Sequence, residues 1–509
     1  MNIKRAKEEI KDAIESYLLK DEFGDYMIPI ESQRPILLIG PPGIGKTAVM
    51  QQIATECGVG LVAYTITHHT RQSAIGLPFI EEKEYGGKKY SVTEYTMSEI
   101  IAAVYEKIEA TGLKEGILFI DEINCASETL APAMLQFLQY KTFGSHRVPN
   151  GWIIAAAGNP PQYNKSVREF DVVTLDRVKK IDVEENYGIW REYAVFQSVH
   201  NAIISYLDIK KESFYNIKST ADGKMFTTAR GWEDLSKIIY VYEKLNKKVD
   251  VDVVFQYIQN RKVAKDFASY LELYYKYKND YSISDILAGK FREAYVDRLR
   301  VASFDEKLGV ISLILGALND GFKLADKQDR FVTALHGVLK NLKETMVGQE
   351  GRPEEKIQAL LTIRQKHLMV KQTAGLIKKD DERMEMHIND VLESYILAIK
   401  EKSINICDEG FEVAKNLFGG EVENRKNIME NCSEELDNAF DFMETVFKEG
   451  QEMVAFVTEL NSGYYSIKFI NANGCYKFYQ YNKNLLFKQQ QKTIVTEIDE
   501  INNLMNSLE

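Results

Sequence analysis

The sequence predicts an α/β domain with a parallel sheet in its first third, followed by a long all-helical region. Short apolar runs alternate with helix-like segments up to about residue 185, an order that builds a parallel sheet with helices on both faces. A glycine-rich loop follows the first apolar run directly and opens into a helix-like segment. Nine of the ten prolines lie at or before Pro161, so long uninterrupted helices are permitted beyond it.

Five short apolar runs are the predicted strands of the sheet. Such runs are typical of parallel strands that are buried on both faces. They are Ile36–Ile39, Leu61–Ile66, Ile117–Ile120, Trp152–Ala157 and Val178–Val183. Between the second and third runs, Phe79–Tyr85 and Lys88–Tyr95 flank Gly86-Gly87 and predict an inserted β-hairpin.

The chain beyond Trp190 has helical periodicity, with breaks, to its end. We therefore expect an α/β domain at residues 1–185, a helical lid at 186–280 and an all-helical extension at 281–509 that binds a partner or client. Within this region we predict a linker at Gly348–Pro353 and the end of a helix at Gly419-Gly420. We predict helix for the tail Glu452–Phe487; the alternative is that Asn471–Gly474 forms a turn between strands.

Length, charge and cysteine content narrow the class of protein. A chain of 509 residues is too long for one core, and about two to four domains are expected. The formal net charge of −11 argues against a general binder of nucleic acid. No apolar run approaches the roughly 18 residues that span a bilayer, so no membrane segment is predicted. The five cysteines are scattered without a C-x-x-C motif, which favours a reducing cytoplasmic location.

The glycine-rich loop Gly40-Pro-Pro-Gly-Ile-Gly-Lys-Thr47 fits the pattern G-x-x-x-x-G-K-T between a strand and a helix, which predicts a phosphate-binding loop. Gly43 and Gly45 let the backbone turn its N–H groups toward phosphate oxygens, and the helix N-terminus adds partial positive charge. Lys46 reaches the β- and γ-phosphates, and the Thr47 hydroxyl binds Mg²⁺. The candidate nucleotide-binding residues are Gly40, Pro41, Pro42, Gly43, Ile44, Gly45, Lys46, Thr47 and Ala48.

Asp121 and Glu122 follow the third apolar run, at the carboxyl edge where a parallel sheet binds its ligand. We predict that Asp121 holds Mg²⁺ and that Glu122 orients and deprotonates the water that attacks the γ-phosphate. Kinases of this fold need no glutamate beside the aspartate, so the pair favours hydrolysis. The alternative is a solvated turn that merely follows a strand.

Asn159 follows the fourth apolar run and precedes Pro160 and Pro161. Its amide is a candidate hydrogen-bond partner for the γ-phosphate or the attacking water. The alternative, that Asn159 only caps the strand or supports the turn, has equal weight when this segment is taken alone.

Together these segments resemble elements of the AAA+ ATPases. Gly40–Thr47, Ile117–Asn124 and Ile153–Pro160 resemble the Walker A, Walker B and sensor 1 elements of that family. The run Asp121–Glu128, with Leu135–Gln139 and Thr70–Pro78, resembles the MoxR branch. The resemblance covers roughly residues 30–245. It implies a P-loop NTPase sheet with a helical lid, and ATP with Mg²⁺ as the bound nucleotide.

The resemblance also assigns roles to arginines. Thr174-Leu-Asp-Arg177-Val resembles the box that supplies an arginine finger to the neighbouring subunit, although Val178 stands where the family usually has phenylalanine. Arg168 is a second candidate for that finger. Thr227-Thr-Ala-Arg230-Gly-Trp resembles sensor 2, which implies that Arg230 contacts the γ-phosphate from the lid.

By this resemblance we expect a homo-oligomer, a hexameric ring, in which ATP hydrolysis remodels a protein client in the manner of a chaperone. A partner with a von Willebrand A domain is implied in the same way. Lys141, His146 and Arg147 either face the central pore of such a ring or lie in a solvated loop. Two other functions remain open: a nucleic-acid-linked AAA+ NTPase of the restriction or loader type, and a nucleotide-gated scaffold with little turnover.

Overall fold

The computed structural model describes residues 1–68, 70–143, 146–163, 167, 169–220 and 223–483. These residues form two compact units. The first unit comprises Met1–Ile189, Thr228–Arg230 and Ile357–Ser394. The second comprises Trp190–Thr227, Gly231–Lys356 and the described residues from Tyr395 onward. The division into an α/β domain, a lid and an extension stays a prediction.

The first unit begins with an alternation of helices and strands. In chain order these are α1 (Ile3–Leu18), β1 (Ile36–Ile39), α2 (Lys46–Cys57), β2 (Gly60–Thr65), α3 (Arg71–Ile75), β3 (Pro78–Tyr85), β4 (Lys88–Tyr95), α4 (Glu99–Thr111), β5 (Gly116–Asp121), α5 (Ala131–Tyr140), β6 (Thr142–Phe143), β7 (His146–Arg147), β8 (Trp152–Gly158), α6 (Val172–Leu175) and β9 (Lys179–Asp182). Short 3₁₀ turns lie at Ile30–Ser32, Ile66–His68 and Ile123–Cys125.

Five of these strands form one parallel sheet in the order β2-β5-β8-β1-β9. All five predicted strands are confirmed, and no bound differs from the prediction by more than one residue. The order places β8 between β1 and β5. The carboxyl ends of these three neighbours therefore meet at one edge of the sheet, which brings the three sequence motifs together.

Both faces of the sheet are covered by apolar side chains, which is why its strands read as continuous apolar runs. Along β1, Leu37 packs into the cluster on one face, together with Leu118 of β5. Its neighbours Ile36 and Leu38 pack into the cluster on the other face, together with Phe119. All five side chains are fully buried, so the core fixes the position of each strand end.

The predicted hairpin is present as the antiparallel pair β3 and β4. Gly86 and Gly87 both have positive φ, 59° and 78°. This is the backbone that a two-residue hairpin turn with right-handed strand twist requires, and it explains the Gly-Gly sequence at the corner.

The segment Ile357–Ser394 belongs to the first unit although it lies far along the chain. Its turn accepts hydrogen bonds from two helices of the α/β region. Gln51 of α2 donates from Nε2 to the Gly375 carbonyl at 3.1 Å, and Lys107 of α4 donates from Nζ to the Thr373 carbonyl at 3.0 Å.

The remaining elements complete the chain. They are α7 (Tyr187–Phe196), α8 (Asn201–Ile209), β10 (Asn216–Thr220), β11 (Gly223–Thr227), α9 (Ala229–Lys244), α10 (Val251–Tyr257), α11 (Arg261–Asp280), α12 (Ile283–Leu287), α13 (Glu293–Val301), α14 (Phe304–Met346), α15 (Pro353–Ala374), α16 (Lys379–Glu401), α17 (Cys407–Phe447), α18 (Gln451–Ser462) and α19 (Tyr464–Asn473). A 3₁₀ turn lies at Lys211–Ser213. Residues 476–483 are also helical.

Long helices dominate this region, as the sequence predicts, and the predicted linker lies between α14 and α15. The tail is helical as far as residue 483, and residues 484–487 of that prediction lie outside the described part of the chain. By length and composition α14 is apolar enough to cross a membrane, but only half of its most apolar stretch is exposed. A core helix has the same properties, and α14 packs against α8, α17, α18 and α19.

Two details of the helical prediction are wrong. The antiparallel hairpin of β10 and β11 lies where helix was expected, and Ile217 pairs with Phe226 in it. Gly419 and Gly420 lie inside α17 rather than at a helix end. Each glycine lowers the stability of a helix by about 1 kcal/mol relative to alanine. The packing of α17 along α14 outweighs this loss.

Candidate functional site

The predicted phosphate-binding loop connects β1 to α2 at the carboxyl edge of the sheet. Gly43 and Gly45 have φ of 77° and 95°, so both adopt the left-handed backbone that favours glycine. Gly45 is also the N-cap of α2. Gly40 is needed for a different reason, since a Cβ there would lie 2.8 Å from the Val183 carbonyl oxygen.

The other predicted members of the loop surround this turn. Pro41 is buried, Pro42 and Ile44 are half-buried, and Thr47 and Ala48 are exposed in the first turn of α2. The backbone N–H groups of Thr47 and Ala48 lie at the N-terminus of a twelve-residue helix, where partial positive charge favours an anion.

Lys46 is the buried cation of the site, with only 8% of its surface exposed. Its ammonium donates to the carbonyl oxygens of Gly40 and Pro41 at 2.7 and 2.9 Å, and to Oδ1 of Asn159 at 2.9 Å. Burial lowers the pKa of Lys46 to about 8, and the charge of Arg230 acts in the same direction. The carboxylates of Asp121 and Glu122 oppose this shift.

Thr47 and Asp121 bring two oxygens together across the site. The Thr47 hydroxyl donates to Oδ2 of Asp121 at 2.7 Å, while Oδ1 of Asp121 accepts the Glu122 backbone N–H at 2.9 Å. Hydroxyl and carboxylate oxygens are ligands that suit Mg²⁺, which binds few protein groups alongside phosphates and water. Among the described residues no group of three or more His, Cys, Asp or Glu is arranged to hold a metal ion.

Glu122 has a φ of 56°, an uncommon backbone conformation for glutamate, at the start of the turn Ile123–Cys125. Its Oε2 accepts a hydrogen bond from the Thr67 hydroxyl at 3.2 Å. Thr67 follows β2, the neighbour of β5 in the sheet. Sequence reasoning missed this residue, although a hydroxyl just past β2 was a usable signal once the two strands were taken as neighbours.

Asn159 lies at the end of β8, where its side chain accepts from Lys46. Its backbone contacts a second residue that sequence reasoning missed. Asn124 donates from Nδ2 to the Asn159 carbonyl at 2.8 Å and accepts the Asn159 N–H at Oδ1, 3.3 Å away. The structure therefore brings Lys46, Thr47, Asp121, Glu122 and Asn159 to one edge of the sheet.

Arg230 lies beside the loop, at the start of α9. A Cβ added to Gly43 would lie 3.2 Å from the Cβ of Thr228 and 3.6 Å from that of Arg230. The guanidinium is exposed, and its charge contributes to the lowered pKa of Lys46. Arg230 thus lies beside the loop, and its predicted contact with the γ-phosphate stays a prediction.

Arg177 is exposed and follows α6, whose N-cap is Asp171. In the part of the chain that the structure describes, no hydrogen bond or ion pair joins its guanidinium to the loop. The other finger candidate, Arg168, lies outside the described residues.

The prediction that Lys141 lines a pore or a solvated loop is wrong. Lys141 is buried and donates to the Ile30 carbonyl, and burial lowers its pKa to about 8. Arg147 pairs with Glu31 at 2.7 Å in the same 3₁₀ turn. His146 lies 3.1 Å from the Tyr95 carbonyl through its Nε2. The short strands β6 and β7 are therefore held by contacts within their own chain.

A parallel sheet with this loop, and with Asp121 at its carboxyl edge, has the fold of a P-loop NTPase of the AAA+ type. Residues 36–175 match the model of the family described as ATPase family associated with various cellular activities (AAA). Residues 36–175 therefore have the fold of an AAA ATPase domain.

Other comparisons add little to this family match. Among solved structures, a mutant RuvB from Thermotoga maritima is similar over 51% of this chain and 69% of its own, at 15% identity and a TM-score of 0.29. A likeness this weak supports no conclusion about function. No curated protein sequence matches the chain significantly.

Proposed function

We propose that this chain is an AAA+ ATPase that hydrolyses ATP with Mg²⁺ and uses the energy to remodel or assemble protein complexes. One observation carries the proposal: the Thr47 hydroxyl lies 2.7 Å from the Asp121 carboxylate, with the Lys46 ammonium and the Glu122 carboxylate at the same sheet edge. This is the set of groups that phosphoryl transfer to water requires.

The loop binds the triphosphate through two kinds of donor. Backbone N–H groups at the start of α2 face the phosphates, and Lys46 supplies a full positive charge. The Lys46 ammonium donates to two loop carbonyls and to Asn159, and these contacts use all three of its N–H bonds. Binding therefore exchanges some of these hydrogen bonds for bonds to phosphate oxygens, and Asn159 becomes free to contact the γ-phosphate or the attacking water.

Thr47 and Asp121 are the residues that would hold Mg²⁺. When bound, the ion neutralises charge on the phosphate oxygens. The hydrogen bond between Thr47 and Asp121 keeps the two oxygens close together.

Glu122 is the general base in this proposal. Its carboxylate is oriented at the end of β5, where it takes a proton from the water that attacks the γ-phosphate. In the present arrangement Oε2 accepts from Thr67. Rotation of Glu122 away from Thr67 would then accompany the approach to the reactive state.

Two arginines complete the site. Arg230 supplies positive charge from beside Gly43, and Arg177 is proposed to serve the site of a neighbouring subunit in a hexameric ring. The exposed position of Arg177 supports that role. A finger supplied in trans raises the rate of related enzymes by roughly 10³–10⁵.

Protein remodelling in the MoxR manner, in the cytoplasm, is the cellular role we propose. The resemblance at Asp121–Glu128 supports it, and the helical region beyond residue 281 supplies the surface for a client or for a von Willebrand A domain partner. The five free cysteines fit a reducing compartment.

Steady-state turnover of the full-length protein tests the proposal. Glu122→Gln should retain ATP binding and lose hydrolysis, while removal of Mg²⁺ with a chelator should stop turnover of the unaltered protein. Glu109→Gln, an exposed glutamate on α4, is the matched control and should turn over ATP normally. Failure of the unaltered protein to bind ATP would end the proposal. Binding without turnover would favour the scaffold, and DNA-stimulated turnover the nucleic-acid motor.

A further inference from the structure

Asn124 fixes the backbone of Asn159 at the point where β8 leaves the sheet. The last paired residue of β8 is Gly158, which lies opposite Ile39 of β1. Asn159 is one residue beyond this pair, and the prolines that follow it have no N–H to donate. The Asn159 N–H and carbonyl therefore need partners from outside the sheet.

The Asn124 amide supplies both partners. Its Nδ2 donates to the Asn159 carbonyl at 2.8 Å, and its Oδ1 accepts the Asn159 N–H at 3.3 Å. A carboxamide has one donor side and one acceptor side in a plane, so it replaces the peptide group of a neighbouring strand. Only one orientation of the amide satisfies both bonds. Asn124 is 6% exposed, so water does not compete freely for these bonds.

Gly158 makes the close approach possible. A Cβ on Gly158 would lie 2.6 Å from Oδ1 and 2.8 Å from Cγ of Asn124. Its φ is not in the left-handed region, so the requirement is for space and not for backbone freedom. Any larger residue would push the Asn124 amide out of register with Asn159.

We propose that Asn124 is a positioning residue for ATP hydrolysis, which holds Asn159 so that its side chain can reach Lys46 and the γ-phosphate. This inference rests on the proposed function. The turn Ile123–Cys125 directly follows Glu122. The two hydrogen bonds of the Asn124 amide therefore also fix the distance between the general base and the Asn159 amide. Asn124 itself touches no reacting atom.

Kinetic separation of binding from turnover tests this role. Asn124→Leu has a similar size but neither hydrogen bond, and Asn124→Asp keeps only the acceptor. A misplaced reacting group costs about 100-fold in rate, so we expect kcat to fall by about that factor. The Kd for a non-hydrolysable ATP analogue should stay within about threefold, because the loop donors are untouched. Asn389→Leu is the control: Asn389 is equally buried at 6%, but its partner is Arg364, 3.0 Å away.

A double-mutant cycle distinguishes positioning from general stability. If Asn124 acts through Asn159, the variant with both Asn124→Leu and Asn159→Ala should be no slower than Asn159→Ala alone. Gly158→Ala should displace the Asn124 amide, disturb the same two hydrogen bonds and lower kcat in the same way. Circular dichroism and thermal melting check that each variant folds. Should Asn124→Leu not fold, Asn124→Asp and Gly158→Ala decide the question.

The outcomes distinguish failure of the positioning role from failure of the proposed function. Suppose that Asn159→Ala is slow. Normal turnover in folded Asn124 and Gly158 variants would then overturn the positioning role but not the proposed function. A double variant whose loss of kcat is the product of the two single losses would have the same meaning. An unaltered protein without ATPase activity would remove the proposed function and this role together.

Discussion

The Thr67 hydroxyl donates a hydrogen bond to the Glu122 carboxylate over 3.2 Å, linking the ends of two neighbouring strands. Thr67 follows β2 and Glu122 follows β5, which pair in parallel up to Thr65 and Asp121. The bond therefore holds the proposed general base by its side chain. A neutral hydroxyl to a charged acceptor contributes about 1.5–3 kcal/mol, enough to bias the population of one rotamer.

Thr67→Val removes this donor at nearly constant shape. We expect the basal ATP turnover to rise by up to about tenfold, because Glu122 would more often adopt the rotamer that reaches the attacking water. The measurement is steady-state hydrolysis without any partner, with Thr67→Ser as the control that keeps the hydroxyl. A slower Thr67→Val protein would show instead that the bond holds Glu122 in its reactive position.

The lowered pKa of Lys46 predicts how ATP affinity depends on pH. Burial lowers its pKa from 10.5 to about 8, so above that pH the free protein holds a neutral amine. The folded state then binds fewer protons than the unfolded one, and the stability contribution of this group improves as pH rises from about 8 toward 10.5. Phosphate oxygens favour the charged form, so ATP binding above pH 8 should take up a proton and weaken by up to about tenfold per unit.

Calorimetric titration in buffers of different ionisation enthalpy measures this proton uptake directly. At pH 7 the uptake should be near zero, and it should grow between about pH 8 and 9. Lys46→Met should bind more weakly, without the pH dependence. The same uptake in Lys46→Met would assign the proton to another group.

Arg177 and Arg230 are distinguished by mixing subunits. Arg177→Ala should be inactive alone, because every site in the proposed ring would lack its proposed finger. Mixed with Glu122→Gln subunits it should regain turnover, since an intact base then faces a neighbour that still carries Arg177. Arg230→Ala is the control and should not be rescued, because Arg230 lies beside Gly43 of its own chain. Absence of rescue for Arg177→Ala at any ratio would contradict the trans finger.

The sequence predicted the parts of the site that depend on chain order. A strand, a glycine turn and a helix must be consecutive, so the loop and the acidic pair at Asp121 could be recognised from local pattern alone. Thr67 and Asn124 could not be assigned in this way. Each acts through a residue 35 or more positions away, and only the strand order β2-β5-β8 makes those residues neighbours.

The prediction for the helical region was wrong in two places for the opposite reason. There, contacts in the folded chain outweighed the local preference of the sequence. Gly419 and Gly420 looked like a helix end since glycine weakens helices, yet α17 continues through them while packing along α14. The β10–β11 hairpin left a weak alternating signal around Ile217 and Phe226, in a stretch of only five residues on each side. Nothing local favoured helix there strongly, but the long helices on either side hid the signal.

The glycines of α17 give a stability prediction that is independent of the active site. Gly419 and Gly420 are exposed, and a Cβ on either would meet nothing within 4 Å. Gly419→Ala and Gly420→Ala should therefore each raise the free energy of unfolding by about 0.4–1 kcal/mol through higher helix propensity and a less flexible unfolded chain. Gly410→Ala in the same helix is the matched contrast, since its Cβ would overlap the Pro353 ring.

That overlap should lower the free energy of unfolding by about 1–3 kcal/mol, as overpacking does elsewhere. Urea unfolding followed by circular dichroism measures all three variants, with ATP turnover unchanged in Gly419→Ala and Gly420→Ala. Equal destabilisation of the three would mean that α17 breaks at Gly419 in solution. If Gly419→Ala and Gly420→Ala are stabilised and Gly410→Ala is destabilised, α17 is one continuous helix. Packing then determines its stability on the buried face, and helix propensity does so on the exposed face.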